Sequence, residues 1–102
     1  MGIDIAIVTE NGVEIESIGD PGSMTQSLLP DYSKVDSPCL RFIDPYGDTV
    51  FNCLQIPLLI NELEETLSHI SNKWVADHGW KIVELARRAM QHVHQYVKFI
   101  GD

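Results

Sequence analysis

His92-Val93-His94, with His69 and His78 elsewhere, brings four imidazoles to a chain of 102 residues, and imidazole is the commonest zinc ligand. The spacing argues against a metal. Residues two apart diverge around a helix, whereas zinc-binding helices set their ligands three or four apart; on a strand the pair would share a face, but no third ligand is identifiable. These histidines read as surface or helix-capping groups, and no cofactor is expected. Cys39 and Cys53 lack the C-x-x-C spacing of redox and zinc sites and read as small buried residues with reduced thiols. A Cys–His nucleophile pair matches no local signature. The glycines are scattered, not gathered before a helix start, so no phosphate-cradling loop is visible. Glu14 with Glu16 and Asp44 with Asp48 have the residue types for acid-base work, but a hairpin and a turn keep water close to them, and general acids need desolvation. The expectation is a non-enzymatic protein. The competing reading is a small enzyme or ligand-binding domain whose site assembles from His78, His92, Cys39 or Cys53 in three dimensions.

If chemistry is not the task, binding is, and charge narrows the partner. Seven basic residues against fifteen acidic ones give a formal charge of −8. Such a field repels phosphates and anionic lipid and attracts cationic surfaces, so the expected ligand is a protein, neither nucleic acid nor membrane. Residues 1–51 carry nine of the acids and only two of the bases. No apolar stretch approaches the roughly 20 residues that span a bilayer, Pro57 and the acids Glu62, Glu64 and Glu65 bounding the best candidate. Met1-Gly2-Ile3 shows no leader pattern, and the expected setting is the cytoplasm, with a monomeric chain.

The elements that must position these residues follow from periodicity. Ile3, Ile5 and Ile7 alternate with Asp4 and Ala6, and Val13 and Ile15 with Glu14 and Glu16, the period of half-buried strands. Asn11-Gly12 between them predicts a type I′ hairpin over residues 3–18. From Gly19 to Pro38 turn formers prevail, and so long a loop in a compact domain is a candidate contact surface. Leu40-Arg41-Phe42-Ile43 and Thr49-Val50-Phe51 flank the turn Asp44-Pro45-Tyr46-Gly47-Asp48 and read as a second hairpin. Asn52 and Gln55 have capping-box spacing, and Ile56, Leu59, Ile60, Leu63, Leu67 and Ile70 predict a helix over 55–69. A second helix begins after Ser71 or Asn72, with Gly79 as a point where it could break. Tyr96 to Ile100 reads as a last strand. The expected fold is one α+β domain over residues 1–102, a sheet of about five antiparallel strands with a helix pair on one face, in the order β-β-β-β-α-α-β.

The stretch Leu40-Arg41-Phe42-Ile43-Asp44-Pro45-Tyr46-Gly47-Asp48-Thr49-Val50-Phe51-Asn52 with Gln55, and the segment Tyr96-Val97-Lys98-Phe99-Ile100-Gly101-Asp102, together resemble small bacterial immunity proteins of contact-dependent growth inhibition and related polymorphic toxin systems. The resemblance covers about a third of the chain. It implies a protein that neutralises a cognate toxin by covering its active site, a basic nuclease being the toxin type that suits an acidic inhibitor. Candidate contact residues are the carboxylates and aromatics of the acidic first half: Asp44, Tyr46 and Asp48 on the turn, Asp31, Tyr32 and Asp36 in the long loop, and Glu14 and Glu16 in the first hairpin.

Overall fold

The computed structural model describes residues 2–31, 33–34 and 36–102. Alternating apolar residues build β1 (Asp4–Thr9) and β2 (Glu14–Ile18); β3 (Asp48–Phe51) and β4 (Gln95–Ile100) complete, among the described residues, a four-stranded antiparallel sheet in the order β2-β1-β4-β3. The C-terminal strand is thus interior, paired on both edges. In-register neighbours share a face. Ile5, Ile7, Val97, Phe99 and Phe51 therefore point to one side, where Phe51 and Phe99 meet edge to face with ring centroids 5.8 Å apart. Ala6, Val8, Tyr96, Lys98 and Val50 occupy the other.

Two α-helices cover the first face. In α1 (Ile56–Leu67) the buried set is Ile56, Leu59, Ile60, Leu63 and Leu67, one stripe at helical spacing, and in α2 (Lys73–Met90) it includes Val75, Ile82, Val83, Ala86 and Ala89. Each of the leucines, isoleucines and valines among them contributes about 1.5–3 kcal/mol on full burial, and together with the two alanines and the inward strand residues they form one core. The ends are chemically specified. Gln55 N–H donates to Asn52 Oδ1 at 3.1 Å while Asn52 N–H donates to Gln55 Oε1 at 3.0 Å, a reciprocal box before α1. Asn72 Oδ1 accepts from Trp74 and Val75 N–H at 2.9 and 3.2 Å and starts α2, which ends on Arg87 and Arg88, where its dipole favours cations.

The fold class and the single antiparallel sheet agree with expectation; the count of about five strands does not. Leu40–Phe42 is a 3₁₀ turn, and β3 pairs with β4 instead of with this segment. The cause is Glu62 on α1. Its carboxylate accepts Cys39 N–H at 3.0 and 3.1 Å and Leu40 N–H at 2.9 Å, removing the donors a strand would use. Leu40 and Ile43 are buried while Phe42 is exposed, a spacing of three instead of two.

Three smaller expectations change as well. Gly12, with φ +81°, is the left-handed residue of the first hairpin, and Gly12 N–H donates to Thr9 O at 2.9 Å; Asn11 has ordinary negative φ, so this is the longer, bulged hairpin loop and not a type I′ turn. The stretch 19–38 contains 3₁₀ turns at Pro21–Ser23 and Thr25–Leu28. Helix α2 runs through Gly79 unbroken, and a Cβ there would stand 2.4 Å from Leu67 Cδ2, so the glycine lets the two helices approach. Among the described residues no helix is long and apolar enough to cross a membrane.

Candidate partner-binding site

The long loop and α1 enclose a groove of about 720 Å³. One wall is the loop, with Leu28, Leu29, Pro30, Asp31, Lys34, Asp36 and Pro38; the other is the α1 stripe Leu58, Asn61, Glu62 and Glu65, next to the helix's core-facing stripe, with His69 in the turn that follows. Leu58 is 51% exposed on this wall, an apolar side chain without cover. Four carboxylates face the groove against one lysine. Asp31 Oδ1 accepts Ser33 N–H at 3.1 Å, and this backbone bond holds its carboxyl below the usual range, so it stays ionised. Glu62 is engaged by the Cys39 and Leu40 amides. Glu65 lies 3.5 Å from His69, both exposed, and Asp36 is exposed. The result is an apolar floor with an anionic rim.

Asp31 and Asp36 are thus brought together, and Tyr32 lies outside the described residues. The other expected contact residues fall elsewhere. Asp44 serves its own turn: Tyr46 N–H donates to its Oδ1 at 2.9 Å, and a Cβ on Gly47 would stand 2.8 Å from its Oδ2. Tyr46 is 76% exposed at the tip, and Asp48 lies 3.5 Å from Lys98 Nζ. Glu14 and Glu16, two apart, do not share a face, because the register shifts: Ile7 pairs with Glu16 and Val8 with Glu14, leaving Ile15 extra. Glu16 turns to the helix side and binds Arg88, whose Nε lies 3.1 Å from Glu16 Oε1. Glu65, Leu58 and the groove as a whole carried no local motif. The signal was the α1 stripe adjoining the core stripe, legible only once the loop is known to lie along it.

The histidines and cysteines stand in separate surroundings. His78, 4% exposed, sits in a buried polar knot: Thr25 Oγ1 donates to Ile3 O at 3.0 Å, so His78 Nε2–H donates to Thr25 Oγ1 at 2.8 Å and faces Asp20 Oδ1 at 3.3 Å. Asp20 also accepts Ile3 N–H at 2.8 Å and Thr25 N–H at 3.0 Å. Acid and hydroxyl contact the same ring nitrogen, whereas a nucleophile relay needs them on opposite nitrogens. The knot ties β1, the loop and α2 together. Burial lowers the His78 pKa against the raising influence of Asp20, and Lys81 lowers it further. Burial, then the charge and hydrogen bond of Glu62, push the Cys39 thiol up to about 12, far from thiolate chemistry. His92 and His94 lie in the exposed turn before β4, His94 Nδ1 3.3 Å from Glu10 Oε2. Among the described residues no three His, Cys, Asp or Glu are placed to hold a metal ion. Both cysteines are free. The chain matches no family model, no curated protein and no solved structure.

Proposed function

We propose that this chain is a monomeric, non-catalytic binding protein of the cytoplasm that neutralises a basic toxin protein, in the manner of the immunity proteins it resembles, and needs no cofactor. The observation that carries the reading is the groove between the loop and α1, where Asp31, Asp36 and Glu65 rim the apolar side chains Leu28, Leu29 and Leu58. A segment that fills it is apolar on one side and cationic on its margins. Nuclease toxins present such surfaces because their active sites are built to hold phosphate, and an acidic inhibitor that covers them gains both steering and specificity. Interface hot spots are desolvated anchors surrounded by a polar rim, and Leu58 with its acidic neighbours has that layout. Glu14, Asp44 and Asp48, away from the groove, add to the overall negative field that steers the partner, and exposed Tyr46 offers an aromatic contact beside them.

The test is functional. The protein captured by this chain from its host is expressed alone and with the chain in a sensitive bacterium. The expected result is growth arrest by the partner alone, restored by the wild-type chain and not by Asp36→Lys/Glu65→Lys. A harmless partner, or full protection by the charge-reversed chain, contradicts the reading.

A further inference from the structure

The second groove of the molecule runs along α2 on its other flank, about 840 Å³ in volume, from Trp74 to Arg88, with Ile18, Pro21 and Met24 as the opposite wall. Trp74 and Trp80 are 72% and 43% exposed, and they are the only two tryptophans of the chain. Large indoles left in water on a helix that has ample polar residues are characteristic of binding surfaces, where Trp is the most enriched anchor. Three properties define what fits between these walls. One wall, Ile18, Pro21 and Met24, is apolar and the other sets the two indoles among charged α2 side chains, so the ligand must offer apolar surface to both the wall and the indoles. The ionised lining groups are two of each sign, Asp77 and Glu84 against Lys81 and Arg88, so the groove is neutral within a protein of charge −8; charge complementarity selects an uncharged segment and opposes strongly charged ones. The side-chain groups left over are three donors and one acceptor: neither indole N–H nor Lys81 has an acceptor and Asp77 has no donor among the described residues, whereas Arg88 is taken by Glu16 and Glu84 by Arg87.

We infer that this groove binds an uncharged, proline-rich segment of a partner protein in the polyproline II conformation. Proline offers a carbonyl acceptor and no N–H, and the extended helix leaves its carbonyls free while its rings present apolar surface on several sides. Indole N–H groups and the Lys81 ammonium are donors without acceptor capacity, the complement of such a chain. Aromatic-lined grooves recognise this conformation because it is ordered before binding. The lengths agree: the fourteen steps from Trp74 to Arg88 along α2 span about 21 Å at 1.5 Å each, which holds about seven residues of polyproline II at 3.1 Å each. A pyranose ring is less well matched, since it stacks one apolar face at a time. The site is separate from the acid-rimmed groove and does not depend on the toxin reading.

Because both indoles line the groove, intrinsic tryptophan fluorescence reports on it alone. Titration of the wild-type chain with acetyl-(Pro)₉-amide should give a saturable blue shift, and a Gly-Ser nonamer should give none. Trp74→Ala and Trp80→Ala, each retaining one reporter, should weaken binding by about tenfold or more with circular dichroism and melting temperature unchanged. The proposal is overturned by any of four results: no saturable shift, an equal response to the Gly-Ser nonamer, a response to chitotriose where the proline peptide gives none, or an emission that changes with protein concentration alone, which would put a second copy in the groove. No basic partner enters the assay, so its outcome leaves the toxin reading untouched.

Discussion

His78 Nε2 on α2 faces Asp20 Oδ1, 3.3 Å away, across a knot that also holds Thr25 and, through Asp20, the amide of Ile3 just before β1. Lys81 is the remaining charge acting on the ring. With the His78 pKa lowered in the fold, the unfolded chain takes up its proton first as pH falls, and stability is lost from about pH 6.5 downward while being fully present above it. Urea unfolding between pH 5 and 8 should show this loss in the wild type, and His78→Gln should flatten that part of the profile. A profile unchanged by the substitution would mean that other groups set the acid limit.

Asp20→Ala removes the acceptor of two backbone amides at once. The expected cost is about 3 kcal/mol, from two buried donors left without partners, and equilibrium denaturation measures it. A loss below about 1 kcal/mol would show that water replaces the carboxylate.

Gly79→Ala should destabilise, although helix propensity alone favours it by about 1 kcal/mol. The new methyl meets Leu67 Cδ2 at 2.4 Å and Leu28 Cδ1 at 3.3 Å, and overpacking of this kind costs about 1–3 kcal/mol. Adding Leu67→Ala should couple with it, recovering part of that loss. A higher melting temperature for the single variant would contradict the close packing of the helices.

Glu62→Ala should cost about 2 kcal/mol by freeing the Cys39 and Leu40 amides. It should also speed the reaction of Cys39 with a thiol reagent at pH 8 relative to the wild type, because the charge and hydrogen bond of Glu62 add to burial, the larger cause, in pushing the Cys39 thiol up to about 12. Unchanged labelling would assign the protection to burial only.

The parts of this fold governed by local chemistry were legible in the sequence. The first strand's alternation, the Asn52–Gln55 box, the Asn72 cap and the α1 stripe need only neighbouring residues. What was not legible depends on distant ones. The strand formers at 40–43 are overruled by a carboxylate twenty-two residues away, and Glu14 and Glu16 are separated by a bulge that alternation does not reveal. Of the candidate contact residues, Asp31 and Asp36 share a groove, but its second wall belongs to α1. Asp44 is drawn into its own turn, as an aspartate before proline tends to be.

If the groove lined by Asp31, Asp36, Leu58 and Glu65 takes a cationic segment of the partner, stopped-flow association with the captured partner at rising salt will show it. The reach of these charges falls from about 30 Å at 0.01 M to about 8 Å at 0.15 M ionic strength. The wild-type association rate should therefore drop steeply with salt. Asp36→Lys/Glu65→Lys, with an unchanged melting temperature, should bind at least about tenfold more weakly at 0.15 M, a loss of about 1.4 kcal/mol, and should lose most of the salt dependence. Equal affinity and an equal salt slope for the two proteins would place the partner on another surface of the molecule.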